Sequence, residues 1–165
     1  GHHNINKFNK SNCIIINESE LRHELRNKNA KLQNLIPKIS KNLRAKFVVV
    51  TRGSQGVMMY EKKTGEFISC PAFAGKIIDK IGAGDSLMSL LSPLLKQKLN
   101  NDLILFMSSL AGAHSVETMG NSKRIDKLKI LKASQYILKY FYIFFVKIIC
   151  NALFKNINFN SNLYF

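Results

Sequence analysis

The sequence predicts an α/β protein with a mainly parallel sheet, and two observations carry this prediction. Short apolar runs rich in β-branched residues, typical of buried strands, alternate with longer segments whose apolar residues recur at helical spacing. The chain has 165 residues, of which 46% are hydrophobic and 21% charged, enough for one domain with a core and too apolar for wholesale disorder.

The first strand and helix are joined by a capping pattern. The run Cys13–Ile16 is apolar and β-branched, which indicates a buried strand. A short helix is predicted over Leu21–Arg26. Asn17 suits the N-cap position of that helix, and Glu20 stands three residues later, which completes a capping-box pattern.

The middle of the chain predicts a helix and three strands. Residues 30–45 carry leucine and isoleucine at helical spacing and predict an amphipathic helix, although Pro37 interrupts it. Ala45–Val50 is a second buried-strand run and ends in a glycine-bearing turn. Val57–Tyr60 and Phe67–Ser69 are the strands of a predicted hairpin.

The last part of the chain is predicted to be mainly helical. One more short strand is expected over Lys76–Asp79. A helix then runs from the Ile81–Ser86 segment to about Leu99, and further helices follow over Asp102–Glu117 and Asp126–Leu138.

The chain is strongly basic, with 25 Lys and Arg against 10 Asp and Glu and a formal net charge of +15. Such an excess is typical of proteins that meet nucleic acid, an anionic membrane surface or a phosphorylated ligand. The charge is uneven, because the residues after Asp126 contain six lysines and no acid and leave +9 for residues 1–126. No helix shows a Lys/Arg cluster with interleaved aromatic residues, so we predict no nucleic-acid partner.

The segment from Tyr136 to Phe154 is apolar and aromatic, interrupted by Lys139 and Lys147. It is borderline in length for a membrane span of about 20 apolar residues and is basic at each end. We favour a docked terminal helix or strand over a membrane-associated segment, with an out-of-frame or degraded terminus as the third interpretation. The predicted organisation is a globular part over residues 1–135 and a tail over residues 136–165.

The cysteines Cys13, Cys70 and Cys150 form no C-x-x-C pair, and the histidines have no metal-ligand spacing with them. This pattern argues against a disulfide framework or a zinc site and is compatible with a reducing compartment. We therefore predict a cytoplasmic protein.

The segment Asp79–Asp85, D-K-I-G-A-G-D, is the most informative for function. Gly82, Ala83 and Gly84 let the backbone approach a ligand closely, and they open a predicted helix. A helix start offers free N–H groups and the positive end of the helix dipole, an arrangement that binds phosphate. Asp85 stands in the same turn, where it would repel phosphate, which indicates a role such as general base for an attacking hydroxyl.

The same segment also has a structural interpretation, because glycine and aspartate occur at the start of many helices. It is not a Walker A loop, since no Lys-Ser/Thr pair follows the glycines. It is not the dinucleotide-binding G-x-G-x-x-G motif, since Leu87 stands at the third glycine position. Spacing alone leaves both interpretations open.

Four segments in one order resemble the ribokinase/PfkB family of sugar kinases. Asp79–Asp85 resembles the family's D-T-x-G-A-G-D signature, and Asn17–Glu20 resembles its N-x-x-E motif. Val50–Gly56 resembles its V-T-x-G-x-x-G nucleotide turn, and Ala111–Val116 resembles its small-residue helix beside the adenine. The resemblance implies a three-layer ribokinase-like fold and ATP-dependent phosphoryl transfer to a hydroxyl of a sugar or sugar phosphate. Pro71–Phe73 before the signature and Gly120–Asn121 after it are most similar to the branch related to heptose-phosphate kinases.

The resemblance also implies roles for single residues. Asp85 would be the general base, beside an anion hole formed by Gly82, Ala83 and Gly84. Asn17 and Glu20 would organise Mg²⁺ and phosphate, largely through water, while also forming the capping box. The residues implied for the nucleotide are Thr51, Gly53, Gly56, Lys80, Ala113 and His114.

Each nucleotide residue has a structural alternative. Thr51, Gly53 and Gly56 also suit an ordinary turn between strands, and His114 also suits a packed helix histidine. Lys80 departs from the small Thr or Ser of the family and would either face the phosphates or crowd the turn. Arg52 is likewise expected in a phosphate-facing turn.

The family's sugar-binding half and lid precede the N-x-x-E motif, whereas only 16 residues precede Asn17. We therefore expect the chain to be the C-terminal half of the fold, cut from something longer and inactive as a kinase without the remainder. A non-catalytic nucleotide-binding module or pseudokinase fragment is the alternative. The expected partners are ATP, Mg²⁺ and a sugar or sugar phosphate; a homodimer is compatible with the sequence.

Overall fold

A computed structural model of the chain describes residues 5–75, 77–79, 81–97, 99–117, 126 and 128–140. The sheet consists of β1 (Cys13–Asn17), β2 (Phe47–Thr51), β3 (Val57–Glu61) and β4 (Phe67–Cys70). The helices are α1 (Glu18–Glu24), α2 (Leu32–Leu43), α3 (Ala83–Leu95), α4 (Asn101–Val116) and α5 over residues 128–140. Short 3-10 turns occupy Ile5–Lys7 and Gly53–Gln55.

The four described strands form one mixed sheet in the order β1-β2-β3-β4. β1 and β2 are parallel, with Asn17 opposite Thr51, so the carboxyl ends of both strands meet at one edge. The β2–β3 and β3–β4 pairs are antiparallel. The prediction of a mainly parallel sheet is therefore wrong for the described strands, because the links after β2 and β3 are too short for the crossover that parallel pairing requires.

The sheet lies between two layers of helices, which confirms the predicted three-layer α/β class. Successive side chains of a strand point to opposite faces. Val48 and Val50 accordingly pack in a core with α1 and α2, whereas Val49 packs in a second core with α3 and α4. All three valines are fully buried, which explains why β2 is a continuous apolar run.

Most predicted elements form with shifted ends. α1 begins at Glu18, directly after its Asn17 cap, and α3 ends at Leu95 rather than at Leu99. The strand predicted over Lys76–Asp79 is wrong for residues 77–79, which are irregular. Their backbone N–H groups bond instead to the end of α4.

The described residues fall into two compact units, divided after Asp126. In the second unit, α5 corresponds to the last predicted helix, and the rings of Tyr136 and Tyr140 lie 4.5 Å apart within it. The boundary predicted after residue 135 falls inside α5, and the division into globular part and tail stays a prediction. Within the described ranges no helix combines the length and hydropathy needed to cross a bilayer, and most of the predicted tail lies outside those ranges.

Candidate active site

The edge where β1 and β2 end opens into a cleft of about 610 Å³. This volume falls within the roughly 300–1,000 Å³ typical of small-molecule sites. The walls come from the ends of β1 and β2, the β2–β3 turn, the segment after β4, the first turn of α3 and the last turns of α4. Ends of strands and helices therefore converge on one concave surface within the first unit.

Asn17 and Glu20 form the capping box at the start of α1, and both line the cleft. The Asn17 side-chain oxygen accepts a hydrogen bond from the Glu20 N–H at 2.8 Å. The Glu20 carboxylate accepts one in return from the Asn17 N–H at 3.3 Å. The predicted capping box is thus confirmed, and it satisfies the N–H groups of Asn17 and Glu20.

The turn between β2 and β3 brings Thr51, Gly53 and Gly56 to the cleft wall. Gly56 has a φ of +82°, and a Cβ atom placed on it would lie 2.1 Å from the carbonyl oxygen of Cys70. No side chain fits there, because the turn lies directly against the end of β4. Glycine at this position is therefore a requirement of the fold, independent of any ligand.

Arg52, expected to face phosphates, is instead tied to the start of α1 and does not line the cleft. Its Nε lies 3.5 Å from a carboxylate oxygen of Glu18, and its guanidinium donates to the side-chain oxygen of Gln55. The other oxygen of Glu18 lies 2.7 Å from the Arg22 guanidinium. Glu18 thus links α1 to the β2–β3 turn.

The start of α3 differs from that of α1 because it has no side-chain cap. Gly82 occupies the N-cap in the left-handed conformation, with φ +82° and ψ −3°. The first intrahelical bond runs from the Ser86 N–H to the Gly82 carbonyl at 2.9 Å, so the preceding N–H groups have no intrahelical acceptor. Ala83 and Gly84 line the cleft, and a Cβ on Gly84 would meet no atom within 4 Å. The uncapped end therefore faces open space, the geometry expected for anion binding.

Small residues of α4 form the opposite wall. Ser109, Gly112 and Ala113 line the cleft. A Cβ on Gly112 would lie 3.4 Å from the Ala83 carbonyl oxygen, so α4 packs in van der Waals range of the first turn of α3. His114 is half-buried and is not part of the wall, and its Nε2 has no hydrogen-bond partner in the described part of the chain.

Sequence reasoning missed a further wall, formed by residues 71–75 and 77–79, which we call the strap. Phe73 and Ile77 of the strap line the cleft. Its end leads into the α3 turn, where the Asp79 carboxylate accepts a hydrogen bond from the Ile81 N–H at 2.9 Å. An Asp two residues before such a turn is the available sequence signal, since Asx turns have that spacing.

The cleft brings together eight of the predicted site residues from four separate segments. They are Asn17, Glu20, Thr51, Gly53, Gly56, Ala83, Gly84 and Ala113. Gly82 and the exposed Asp85 belong to the same helix start without forming the wall. Lys80 lies outside the described residues.

The described residues hold neither a cluster of metal-ligating side chains nor an activated thiol. No group of three or more His, Cys, Asp or Glu side chains there is arranged to hold a metal ion. Burial raises the pKa of the Cys13 thiol to about 12 and also raises the pKa of the Cys70 thiol. Both thiols therefore stay protonated at neutral pH and are poor nucleophiles.

Comparison with known proteins gives a family and a set of similar folds. The sequence matches the model of the pfkB family carbohydrate kinases over residues 4–127. The bifunctional protein HldE of Helicobacter pylori (strain HPAG1) is 28% identical over 119 residues, which cover 70% of this chain and 25% of that protein. The chain thus spans about a quarter of the length of the curated relatives it matches.

Solved structures show the same architecture. Phosphofructokinase-2 of Escherichia coli, in complex with potassium, matches with a TM-score of 0.67 at 19% identity. The match covers 79% of this chain and 42% of that protein's chain. An Escherichia coli protein assigned as ribokinase II, solved with ATP and Mg²⁺, has a TM-score of 0.62 at 19% identity, with coverage of 78% and 39%. These similarities confirm the predicted ribokinase-like fold.

Proposed function

Because the chain belongs to the pfkB family of carbohydrate kinases, we propose that it is the nucleotide-binding and catalytic part of an ATP-dependent sugar kinase. The observation that carries the proposal is the cleft on which an uncapped helix start, a glycine turn and a capped acidic helix start converge. Phosphoryl transfer requires donors for the developing charge, a base for the attacking hydroxyl and a site for the nucleotide phosphates. Residues of the right type for each task stand at or beside this cleft.

The proposed anion hole is the first turn of α3. ATP supplies the phosphoryl group when it is bound. The N–H groups of Ala83, Gly84 and Asp85 precede the first intrahelical bond, so they can donate to phosphoryl oxygens without breaking the helix. The positive end of the α3 dipole adds to their effect on negative charge.

The proposed general base is Asp85. Its carboxylate accepts the proton of the acceptor hydroxyl while the hydroxyl oxygen bonds to phosphorus and the bond from phosphorus to ADP breaks. Asp85 is exposed, so it can pass that proton to solvent after transfer. Its position in the first turn of α3 keeps the base next to the donors.

Asn17 and Glu20 are the proposed residues for Mg²⁺. The capping box uses one carboxylate oxygen of Glu20 and leaves the other available at the cleft wall. Mg²⁺ keeps several waters and binds substrate phosphates, so it does not need a cage of protein ligands. A water-mediated contact from Glu20 is compatible with the lack of a ligand cluster in the described residues.

Thr51, Gly53 and Gly56 are proposed to contact the nucleotide phosphates and ribose, and Ala113 the adenine. The small side chains of this wall and the exposed Gly53 support close approach of a ligand. Contacts from Lys80 and His114 stay predictions. The proposed acceptor is a sugar or sugar phosphate, with the heptose-phosphate branch suggested by Pro71–Phe73.

A nucleotide-binding module without catalysis is the second candidate. It is favoured by the position of Asp85, which is exposed and does not line the cleft. This candidate keeps the same nucleotide contacts but has no acceptor site.

Titration calorimetry tests the nucleotide site that both candidates share, and product formation in a turnover assay is the result that separates them. We expect the chain to bind ATP with Mg²⁺ and to form no product with a panel of sugar phosphates. Robust turnover would show that the chain holds a complete acceptor site and remove the second candidate. Failure to bind ATP with or without Mg²⁺ would contradict both.

A further inference from the structure

We propose that Glu117 is a positioning residue for the nucleotide, because its carboxylate fixes the strap against the end of α4. The strap forms one wall of the cleft, so its position sets the shape of the nucleotide site. The proposal rests on the nucleotide-binding role proposed above.

Three N–H groups of the strap bind two consecutive residues at the end of α4. The Glu117 carboxylate accepts a hydrogen bond from the Gly75 N–H at 3.0 Å. The Val116 carbonyl oxygen accepts bonds from the N–H groups of Ile78 and Asp79 at 2.8 and 3.1 Å. These bonds explain why residues 77–79 do not form the predicted strand, since their donors are used by a helix end.

The Glu117 bond, at Gly75, lies between Phe73 and Ile77, which both line the cleft. On one side, the Phe73 ring packs edge-on against Phe106 of α4, with centroids 5.3 Å apart. On the other side, Ile77 lines the cleft and is half exposed, so packing alone holds it weakly. The bond from Glu117 to Gly75 therefore fixes the backbone where the side-chain contacts are poorest.

The strap also leads into the proposed anion hole. The Asp79 N–H bonds to the Val116 carbonyl, and the Asp79 carboxylate accepts a hydrogen bond from the Ile81 N–H. Gly82 follows directly as the N-cap of α3. A displaced strap would therefore shift both the nucleotide wall and the donors of the first turn of α3.

The charge of Glu117 shows that its placement does not serve helix stability. Glu117 is the C-cap of α4. The helix dipole favours cations at that end and disfavours a carboxylate. A residue that is unfavourable for its own helix, yet bonds a segment 42 residues away, indicates a role in holding that segment.

The test compares Glu117→Ala with Glu117→Gln, which keeps a side-chain oxygen acceptor and removes the charge. Glu66→Ala is the matched control, because Glu66 is exposed on the β3–β4 hairpin away from the cleft. Hydrogen exchange is measured at the Ile78 and Asp79 amides, which do not touch the Glu117 side chain, and the affinity for ATP with Mg²⁺ is measured by calorimetry.

For Glu117→Ala we expect faster exchange at both amides and an ATP dissociation constant raised about fivefold, the size expected for one lost hydrogen bond. Glu117→Gln should restore both to within about twofold of wild type. The melting temperature should change little, since loss of the bond is offset by removal of the unfavourable charge.

Unchanged exchange in Glu117→Ala overturns the proposal, as does faster exchange with unchanged ATP affinity. Failure of Glu117→Gln to restore either quantity also overturns it. If the wild-type chain binds no ATP, the proposed function fails, and with it the role of Glu117 toward the nucleotide. The exchange data then decide separately whether Glu117 orders the strap.

Discussion

Two helices begin at the same cleft, and they differ in whether side chains cap the backbone N–H groups of the first turn. α1 begins with a complete capping box between Asn17 and Glu20, so these two N–H groups have side-chain acceptors within the chain. α3 begins with Gly82 in a left-handed conformation and with no side-chain cap. A helix start is therefore suited to an anion where the chain leaves its N–H donors without side-chain caps and the space in front of them is open.

Charge follows the same division. The first turn of α1 carries Glu18, which is paired with Arg22 and Arg52, and Glu20, which lines the cleft and disfavours anions there. The first turn of α3 carries Asp85 alone, and that carboxylate is exposed. A phosphate is therefore expected at α3, while α1 is suited to a cation.

The largest expected effect tests whether the α3 start is catalytic as well as anion-binding. Asp85→Asn should lower the rate of ATP-dependent phosphoryl transfer by about 10²–10⁴-fold, because the amide cannot accept the hydroxyl proton. ATP affinity should change less than about threefold. The rate is measured as ADP release in a form of the protein that turns over its acceptor.

Asp102→Asn is the matched control, since Asp102 is also an exposed acid in the first turn of a helix but lies outside the cleft. It should leave the rate near wild type. Equal rates for Asp85→Asn and wild type would remove Asp85 from the mechanism.

The next effect tests the left-handed N-cap. Gly82→Ala should weaken ATP binding by more than about tenfold, because a side chain at φ +82° costs about 1–2 kcal/mol and the helix start must shift to relieve it. Calorimetry with ATP and Mg²⁺ measures the binding, and denaturant unfolding measures the stability.

Gly65→Ala is the control, because it introduces a similar backbone strain at a glycine that does not lie in the cleft. Gly65 has a φ of +75° in the β3–β4 hairpin, with open space around it. We expect a similar loss of stability and unchanged ATP binding. Equal binding in the two variants would mean that the conformation of Gly82 does not matter to the ligand.

The sequence pattern predicted those elements of the fold that depend on residues close together in the chain. The apolar run of β2 and the capping box of α1 follow from residues close in sequence, and both are confirmed. The strap could not be predicted, because Ile77 and Ile78 look like strand residues while their segment is fixed by Val116, far along the chain. Isolated apolar residues give no signal for such a distant acceptor.

The site shows the same limit. Gly56 suggested a nucleotide turn. Glycine is required at this position, however, because any side chain there would clash with the Cys70 carbonyl oxygen of another strand. The position of Arg52 was predicted wrongly, because its partner Glu18 belongs to a different element. Motif order located the cleft, whereas contacts between elements decided which side chains face it.

A smaller effect separates the two roles of the α1 start. Asn17→Ala removes the cap and should lower the free energy of unfolding by about 1 kcal/mol. Glu20→Gln keeps an oxygen acceptor for the Asn17 N–H, so stability should stay close to wild type. If Glu20 serves Mg²⁺, this variant should raise the Mg²⁺ concentration needed for half-maximal ATP binding. An unchanged Mg²⁺ requirement would leave Glu20 with the capping role alone.

The smallest effect has opposite signs for fold and function, and it comes from Gly84→Ala. Gly84 lies within the first turn of α3 at an ordinary helical φ, and an added Cβ meets no atom within 4 Å. Alanine should therefore raise the free energy of unfolding by about 0.5 kcal/mol, since it loses less backbone entropy than glycine. The same methyl group occupies the space where we expect the phosphoryl oxygens and should weaken ATP binding.

Chemical denaturation with and without ATP measures both effects. A variant that is more stable than wild type without ATP, but whose free energy of unfolding rises less when ATP is added, supports an anion site at α3. A variant that gains as much from ATP as wild type does would show that the open space in front of Gly84 is not where the phosphates bind.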